Sequence, residues 1–291
     1  MMTPFELIDL SMTSLRARQA ARFFSKVKPR FRVTLERKNS DETLIIISGD
    51  EEEWQYLWTS EQLLTESSLF YIEEFSENPI GDCMKWYETI KGVLGCRIDK
   101  VCDWCPNKSI IDWLRAQQDS IEDVSMMNGH QNDVKFFLKT MKVFGELEIE
   151  IADYGSQFRM EIPEGPIRLY IYNSRFIKFE QFLRLNHQEI ILEESEMTSK
   201  EMNRFLKSWM ACESHFDLKY LMIYMYELKI EDVLMNIPYE RTTDPNIMVQ
   251  FTSSPFWSQV DSGLKIMRRD GKMATLPEFQ DDRDHFFLLI H

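Results

Sequence analysis

From Ile98 onward, short extended runs alternate with helical patterns at a nearly even pitch, and that rhythm confines the middle of the chain to repeated strand-then-helix units. The runs occupy residues 98–104, 121–126, 147–151, 167–172, 190–194 and 218–225. Ile98 to Ile121 spans 23 residues, Ile121 to Leu147 spans 26, Ile167 to Ile190 spans 23 and Ile190 to Leu218 spans 28. A unit this short cannot bury its apolar face alone and must stack on its neighbours.

Two of the helices are marked by their stripes. Val134, Phe137, Leu138 and Met141 form one, and Met202, Phe205, Leu206, Trp209 and Met210 form the other. Thr198 and Glu201 have capping-box spacing, so the second helix begins almost directly after the run that ends near Glu194. Leu218-Lys219-Tyr220-Leu221-Met222-Ile223 fits the L-x-x-L-x-I strand core of leucine-rich repeats, whose period is about 20–29 residues. Phe144-Gly145-Glu146-Leu147-Glu148-Ile149 approximates the same core. Tyr226 and Ala152 stand where that signature places Asn or Cys, so the turning backbone must be satisfied in another way. The expected fold class is therefore α/β, an irregular leucine-rich-repeat-like strand–helix solenoid. A doubly wound parallel sheet is the competing architecture. No helical pattern lies between Ile151 and Ile167, only Phe158-Arg159-Met160-Glu161-Ile162, which predicts one extended crossover.

The two ends follow different rules. Thr3, Pro4 and Glu6 form a capping box with Pro at the first helical position, and Phe5, Ile8, Met12 and Leu15 set an apolar stripe that Leu7 and Leu10 broaden. Phe31, Val33 and Leu35 alternate, Asn39-Ser40-Asp41 supplies turn chemistry and Leu44 to Ile47 is apolar, which predicts a strand pair. Residues 61–74 are expected to be helical. Near the C-terminus, Asp270-Gly271 between two alternating runs predicts a hairpin, and residues 285–290 a third, buried strand. The expected organisation is a helical segment at 1–30, a strand pair and mixed connection at 31–95, strand–helix repeats at 96–240, and a hairpin region at 241–291 packed on the repeats.

Composition bounds the function. Hydrophobic residues make up 44% of the 291, aromatics 13%, with only 10 Gly and 10 Pro, so the chain is neither disordered nor fibrous. A net charge of −14 disfavours nucleic acid and anionic membrane as partners. Against that background the run from Arg16 to Lys38 is basic, either as a solvated helix face and loop or as a docking surface for an acidic partner. The absence of a signal-type apolar segment and the odd number of cysteines, 5, predict reduced thiols in the cytoplasm or nucleus.

No phosphate-binding glycine motif, Gly-x-Ser-x-Gly elbow or His-x-x-x-His pair occurs, so no catalytic centre and no cofactor are expected. Cys96, Cys102, Cys105 and His130 are the nearest approach to a metal set. A second Cys-x-x-Cys is missing and Cys102 lies in a strand beside Trp104, so buried structural thiols are expected and metal ligands are not. Trp113, Trp209 and residues 221–225 are expected in the core.

Residues 2–14, Met-Thr-Pro-Phe-Glu-Leu-Ile-Asp-Leu-Ser-Met-Thr-Ser, resemble the second half of an F-box, the helical module that docks on a Skp-type adaptor. Residues 198–209, followed by Leu218-Lys219-Tyr220-Leu221, are similar to the nematode F-box-associated domain of the second type, and residues 266–275 to its C-terminal hairpin. The resemblance implies a substrate receptor of a cullin-type (SCF) ubiquitin ligase, with the ligase chemistry on other subunits. An F-box ordinarily opens with a further Leu-Pro helix, so an N-terminally truncated remnant is expected here. The alternative is a protein-interaction scaffold that has lost adaptor binding. Adaptor contacts are expected from Pro4, Leu7, Ile8, Leu10, Arg16 and Arg18. Contacts to an unknown protein substrate are expected from Glu148, Glu150, Arg168, Tyr170 and Tyr172, which alternation puts on one strand face.

Overall fold

A computed structural model describes residues 2–27, 31–61, 68–103, 107–252, 260–278 and 285–291. The chain forms two compact units, Met1–Val143 and Phe144–His291. The division falls inside the 96–240 stretch that the rhythm groups together.

Unit 1 opens with α1 (Pro4–Thr13), begun by the capping box: the Glu6 amide donates to Thr3 Oγ1 at 3.2 Å and the Thr3 amide to Glu6 Oε2 at 2.8 Å. Phe5, Leu7 and Ile8 are buried, with the Phe5 ring 4.7 Å from that of Tyr56. The expected stripe stops there. Ser14 is extended, and its hydroxyl accepts from the Ala17 amide to begin α2 (Leu15–Val27). Leu15 therefore belongs to the next helix, and Met12 and Leu15 are 56% and 77% exposed.

The expected strand pair is present as β1 (Arg32–Arg37) and β2 (Glu42–Ser48), antiparallel with Leu35 opposite Ile45. β3 (Glu53–Thr59) adds antiparallel to β2, and β4 (Tyr71–Phe75) adds parallel to β3. The expected helix over 61–74 is thus replaced by a strand at its end, because pairing along β3 satisfies the backbone of residues 71–75; residues 62–67 lie outside the described residues. The helix α3 (Pro79–Leu94) was not anticipated, although its punctuation is plain. Asn78 accepts from the Gly81 amide, Pro79 stands at the first position, and Gly95 closes the helix at φ +69°. β5 (Ile98–Cys102), α4 (Lys108–Gln117), β6 (Ser120–Ile121), β7 (Asp123–Gly129), α5 (Gln131–Thr140) and β8 (Lys142–Val143) follow. Spatial order is β4-β3-β2-β1-β5-β7, with β6 and β8 paired separately.

Unit 2 continues the rhythm with β9 (Glu146–Ile151), β10 (Arg168–Ile171), α6 (Phe179–Phe182), β11 (Glu189–Ser195), α7 (Ser199–Met210) and β12 (Tyr220–Met225). The four strands are parallel neighbours in chain order, with no reversal. Register stacks Leu147, Leu169, Ile190 and Leu221 in one row and Ile149, Ile171, Leu192 and Ile223 in the next. All eight are buried, each contributing about 1.5–3 kcal/mol of apolar transfer. The β9–β10 connection holds no helix, as the sequence predicts. Beyond β12 lie α8 (Ile230–Val233), β13 (Glu240–Thr242), α9 (Pro245–Thr252), β14 (Gly263–Met267), β15 (Met273–Pro277) and β16 (His285–Ile290). β16 pairs antiparallel with both β12 and β15, carrying the two rows on to Leu288 and Phe286.

The β14–β15 hairpin turns at Gly271, whose φ of +93° disfavours any side chain. Arg268 in this turn is buried over the Trp209 ring of α7 and bonds Asp270 at 2.7 Å, holding that carboxyl down to about 2. No helix among the described residues is long and apolar enough to cross a membrane.

On the α6–α7 side, the His215 ring lies 4.9 Å from Phe182 and 5.1 Å from Phe205. Burial, reinforced by nearby His187, pushes its imidazole down to about 4 from 6.5. The folded-state value is depressed, so the native state holds His215 neutral while the unfolded chain binds a proton as pH falls. Stability is complete above about pH 6.5 and is lost progressively toward pH 4, by an upper limit of about 3 kcal/mol. Urea unfolding at pH 7 and pH 4.5 is expected to show His215→Phe losing less stability than wild type by that order; parallel losses would show that His215 does not titrate on unfolding.

Candidate protein-interaction faces

Strands β9 to β12 have two faces. One carries the buried rows described above. On the other, register aligns Glu146, Arg168, Glu189 and Tyr220, and then Glu148, Tyr170, Ile191 and Met222. The five residues expected to meet a substrate occupy this second face, as alternation requires. Arg168 is exposed and bridges Glu189 at 2.5 Å and Glu146 at 3.4 Å. Glu148, Glu150 and Tyr172 are half-buried.

Tyr170 is different: it is 7% exposed. It joins Ile191, Met222 and Phe287 of the sheet in a second hydrophobic core with Met248 and Phe251 of α9 and Val260 beyond it. The Phe251 and Phe287 rings stand 5.3 Å apart. The middle of the face is therefore sealed from solvent by α9, and the accessible part is the charged row along Arg168. Tyr170 and Tyr172 stack at 4.3 Å and donate their hydroxyls to Glu193 and Glu148, each at 2.5 Å. Burial first, and then these carboxylates, push both phenols well above their usual value. The sequence carried a signal for this cover. Residues 190–192, 221–223 and 286–289 are apolar without alternation, the mark of strands buried on both faces.

The α1–α2 segment also differs from expectation. Pro4, Leu7 and Ile8, expected to meet an adaptor, are buried within unit 1. The cause is α1's short length: its first two turns serve the unit's own core. Leu10 is 37% exposed, and Arg16 and Arg18 are exposed. Met12, Leu15 and Phe23, none of them among the expected contacts, are exposed, and Arg18 Nη2 reaches Met12 Sδ at 3.9 Å. Their signal was a helix break at Ser14, which transfers Leu15 to a new face.

Cys96 is buried, which pushes its thiol up to about 12, and Cys102 is half-buried. His130 caps α5 by accepting from the Asn132 amide. Trp104 and Cys105 lie outside the described residues. Among the described residues, no group of three or more His, Cys, Asp or Glu is placed to hold a metal ion.

The two kinds of contact on the sheet face differ in weight. Phe251→Ala is expected to cost about 3–5 kcal/mol by emptying the α9 core. Arg168→Gln breaks ion pairs that are a third to a half exposed and is expected to cost under about 1 kcal/mol. Urea titrations of the two variants check this order, and hydrogen exchange of α9 should rise only in the first.

The run from β10 into β12 builds the centre of both faces. No curated protein and no solved structure matches the chain significantly. Residues 166–223, which contain that run, match the model of a protein family described as F-box associated.

Proposed function

We propose that this chain is the substrate-recognition subunit of an SCF-type ubiquitin ligase, holding an adaptor through α1–α2 and a protein substrate through unit 2. The observation that carries the proposal is the F-box-associated match at residues 166–223. The F-box-like capping box of α1 agrees with it. On this reading β9 to β12 are a short, irregular solenoid of the nematode F-box-associated type, the catalytic chemistry lies on other subunits, and the protein acts in the cytoplasm or nucleus.

The adaptor surface consists of Leu10, Met12, Leu15 and Phe23, flanked by Arg16 and Arg18. Exposed apolar side chains on a segment that also exposes cations suit an acidic partner with an apolar groove. A second reading, an interaction scaffold without an adaptor, is favoured by one observation: Pro4, Leu7 and Ile8 are spent on unit 1's own core. A surface of so few apolar anchors binds weakly, on the order of micromolar.

Calorimetric titration of the full chain with a Skp-type adaptor separates the two. Saturable binding that Leu15→Glu with Phe23→Glu abolishes, at unchanged unfolding temperature, is the expected outcome. No binding by wild type would leave the scaffold.

A further inference from the structure

Because β9, β10 and β11 are parallel, the loops that leave their C-terminal ends meet on one rim of unit 2, and there they enclose a groove of about 270 Å³. Its base is aromatic. Tyr154 and Phe158 come from the β9 loop and Phe176 from the β10 loop, with ring centroids 4.9–5.4 Å apart. Three cations line it: Arg159, Arg175 and Lys178. That is an unusual gathering in a chain with a net charge of −14.

The loops are fixed to one another. Tyr154 donates to Asn173 Oδ1 at 2.5 Å, tying the first loop to the second. Buried Ser174 donates both its amide and its hydroxyl to the Glu193 carbonyl, tying the second to β11. β11 itself bulges between Leu192 and Ser195, with Glu194 at φ +47°, and this bend aims Glu194 at Arg175, 2.7 Å away. Lys178 pairs with Glu196 at 2.6 Å. Arg159 has no carboxylate partner among the described residues; its Nη1 donates to the backbone carbonyls of Phe158 and Ser156.

We propose that this groove binds a single carboxylate of a partner polypeptide, gripped by Arg159 and Arg175, with the adjoining apolar side chain resting on the aromatic base. The size argues for one side chain, since sites for whole small ligands run to about 300–1,000 Å³. The charge argues for a monoanion. Asp153 and Glu196 also line the groove and Glu194 pairs with Arg175 from beside it, so Arg159 is the lining cation left without a carboxylate partner among the described residues. A planar guanidinium pair matches a carboxylate by parallel N–H donors, and rigid loops spare the entropy of ordering it. The proposal rests on the view of unit 2 as the partner-holding unit and specifies the partner chemistry.

The test uses the full chain and fluorescent nonapeptides blocked at both ends with a central Glu-Leu. Parallel arms carry Gln-Leu, carry phosphoserine-Leu, or lack Glu and end in a free carboxylate. The Glu peptide is expected to bind about tenfold tighter than the Gln peptide, and Arg159→Gln with Arg175→Gln to remove that difference. About 0.5 M salt should weaken the Glu peptide and leave the Gln peptide nearly unchanged. Tighter binding of the free-terminus peptide, equally lost in the double variant, would support the groove and make a chain end the carboxylate source. Equal binding of Glu and Gln peptides, no binding of any, unchanged binding by a folded double variant, or preference for phosphoserine would each overturn the proposal. Adaptor binding by the double variant separates the two levels: a failed groove with the adaptor still bound leaves the receptor proposal standing.

Discussion

The pairing of β16 with β12 is the constraint on which unit 2 depends. It fixes Leu288 beside Leu221 and Phe286 beside Ile223, so the last strand extends rows that begin at β9. It also places Phe287 on the opposite face, where Met248 and Phe251 of α9 cover it together with Tyr170, Ile191 and Met222. One antiparallel ladder thus closes the edge of a parallel array and supplies a partner for each of its two faces. An exposed edge there would offer a row of unpaired backbone groups to other chains.

The covered face narrows where unit 2 can meet a partner. Apolar contact is already taken at the centre, so what remains accessible along the strands is the ion-paired row around Arg168, together with the loop rim where β9 to β11 end. Half-exposed ion pairs contribute little to stability and lend themselves to exchange with a partner's charges. The rim adds rigidity: its loops are tied by the hydrogen bonds of Tyr154 and Ser174, by the β11 bulge and by the ring contacts of Tyr154 and Phe158 with Phe176. Recognition groups on fixed loops over a sheet are a common division of labour, with the scaffold carrying stability and the loops carrying chemistry.

The α1–α2 segment obeys the same economy. A ten-residue helix has two turns to give to its own core before its apolar positions are exhausted. Phe5, Leu7 and Ile8 go inward, and the apolar surface facing solvent passes to Met12 and, across the break at Ser14, to Leu15 and Phe23. The residues that carry unit 1's stability are therefore not the apolar ones it exposes, and a substitution at Leu15 or Phe23 removes little from the core.

What the sequence determined by itself was local. The capping boxes at Thr3 and Thr198, the stripe on α7, the Asp270-Gly271 turn and the pitch of the strands all fix backbone geometry within a few residues, and each stands where its pattern put it. Even α3 was written in Asn78-Pro79 and Gly95, though its mixed interior obscured it. Alternation likewise put Glu148, Arg168 and Tyr170 on one face. Tertiary structure alone decided which face would be wet, because alternation names two sides of a strand and says nothing about what arrives to cover them. Tyr170 is buried by Phe251, 81 positions later in the chain, and residues 71–75 are a strand because β3 offers them an edge. Pro4, Leu7 and Ile8 turned inward for the same reason: a stripe predicts that something will bury it, and only long-range packing selects between the protein's own core and a partner.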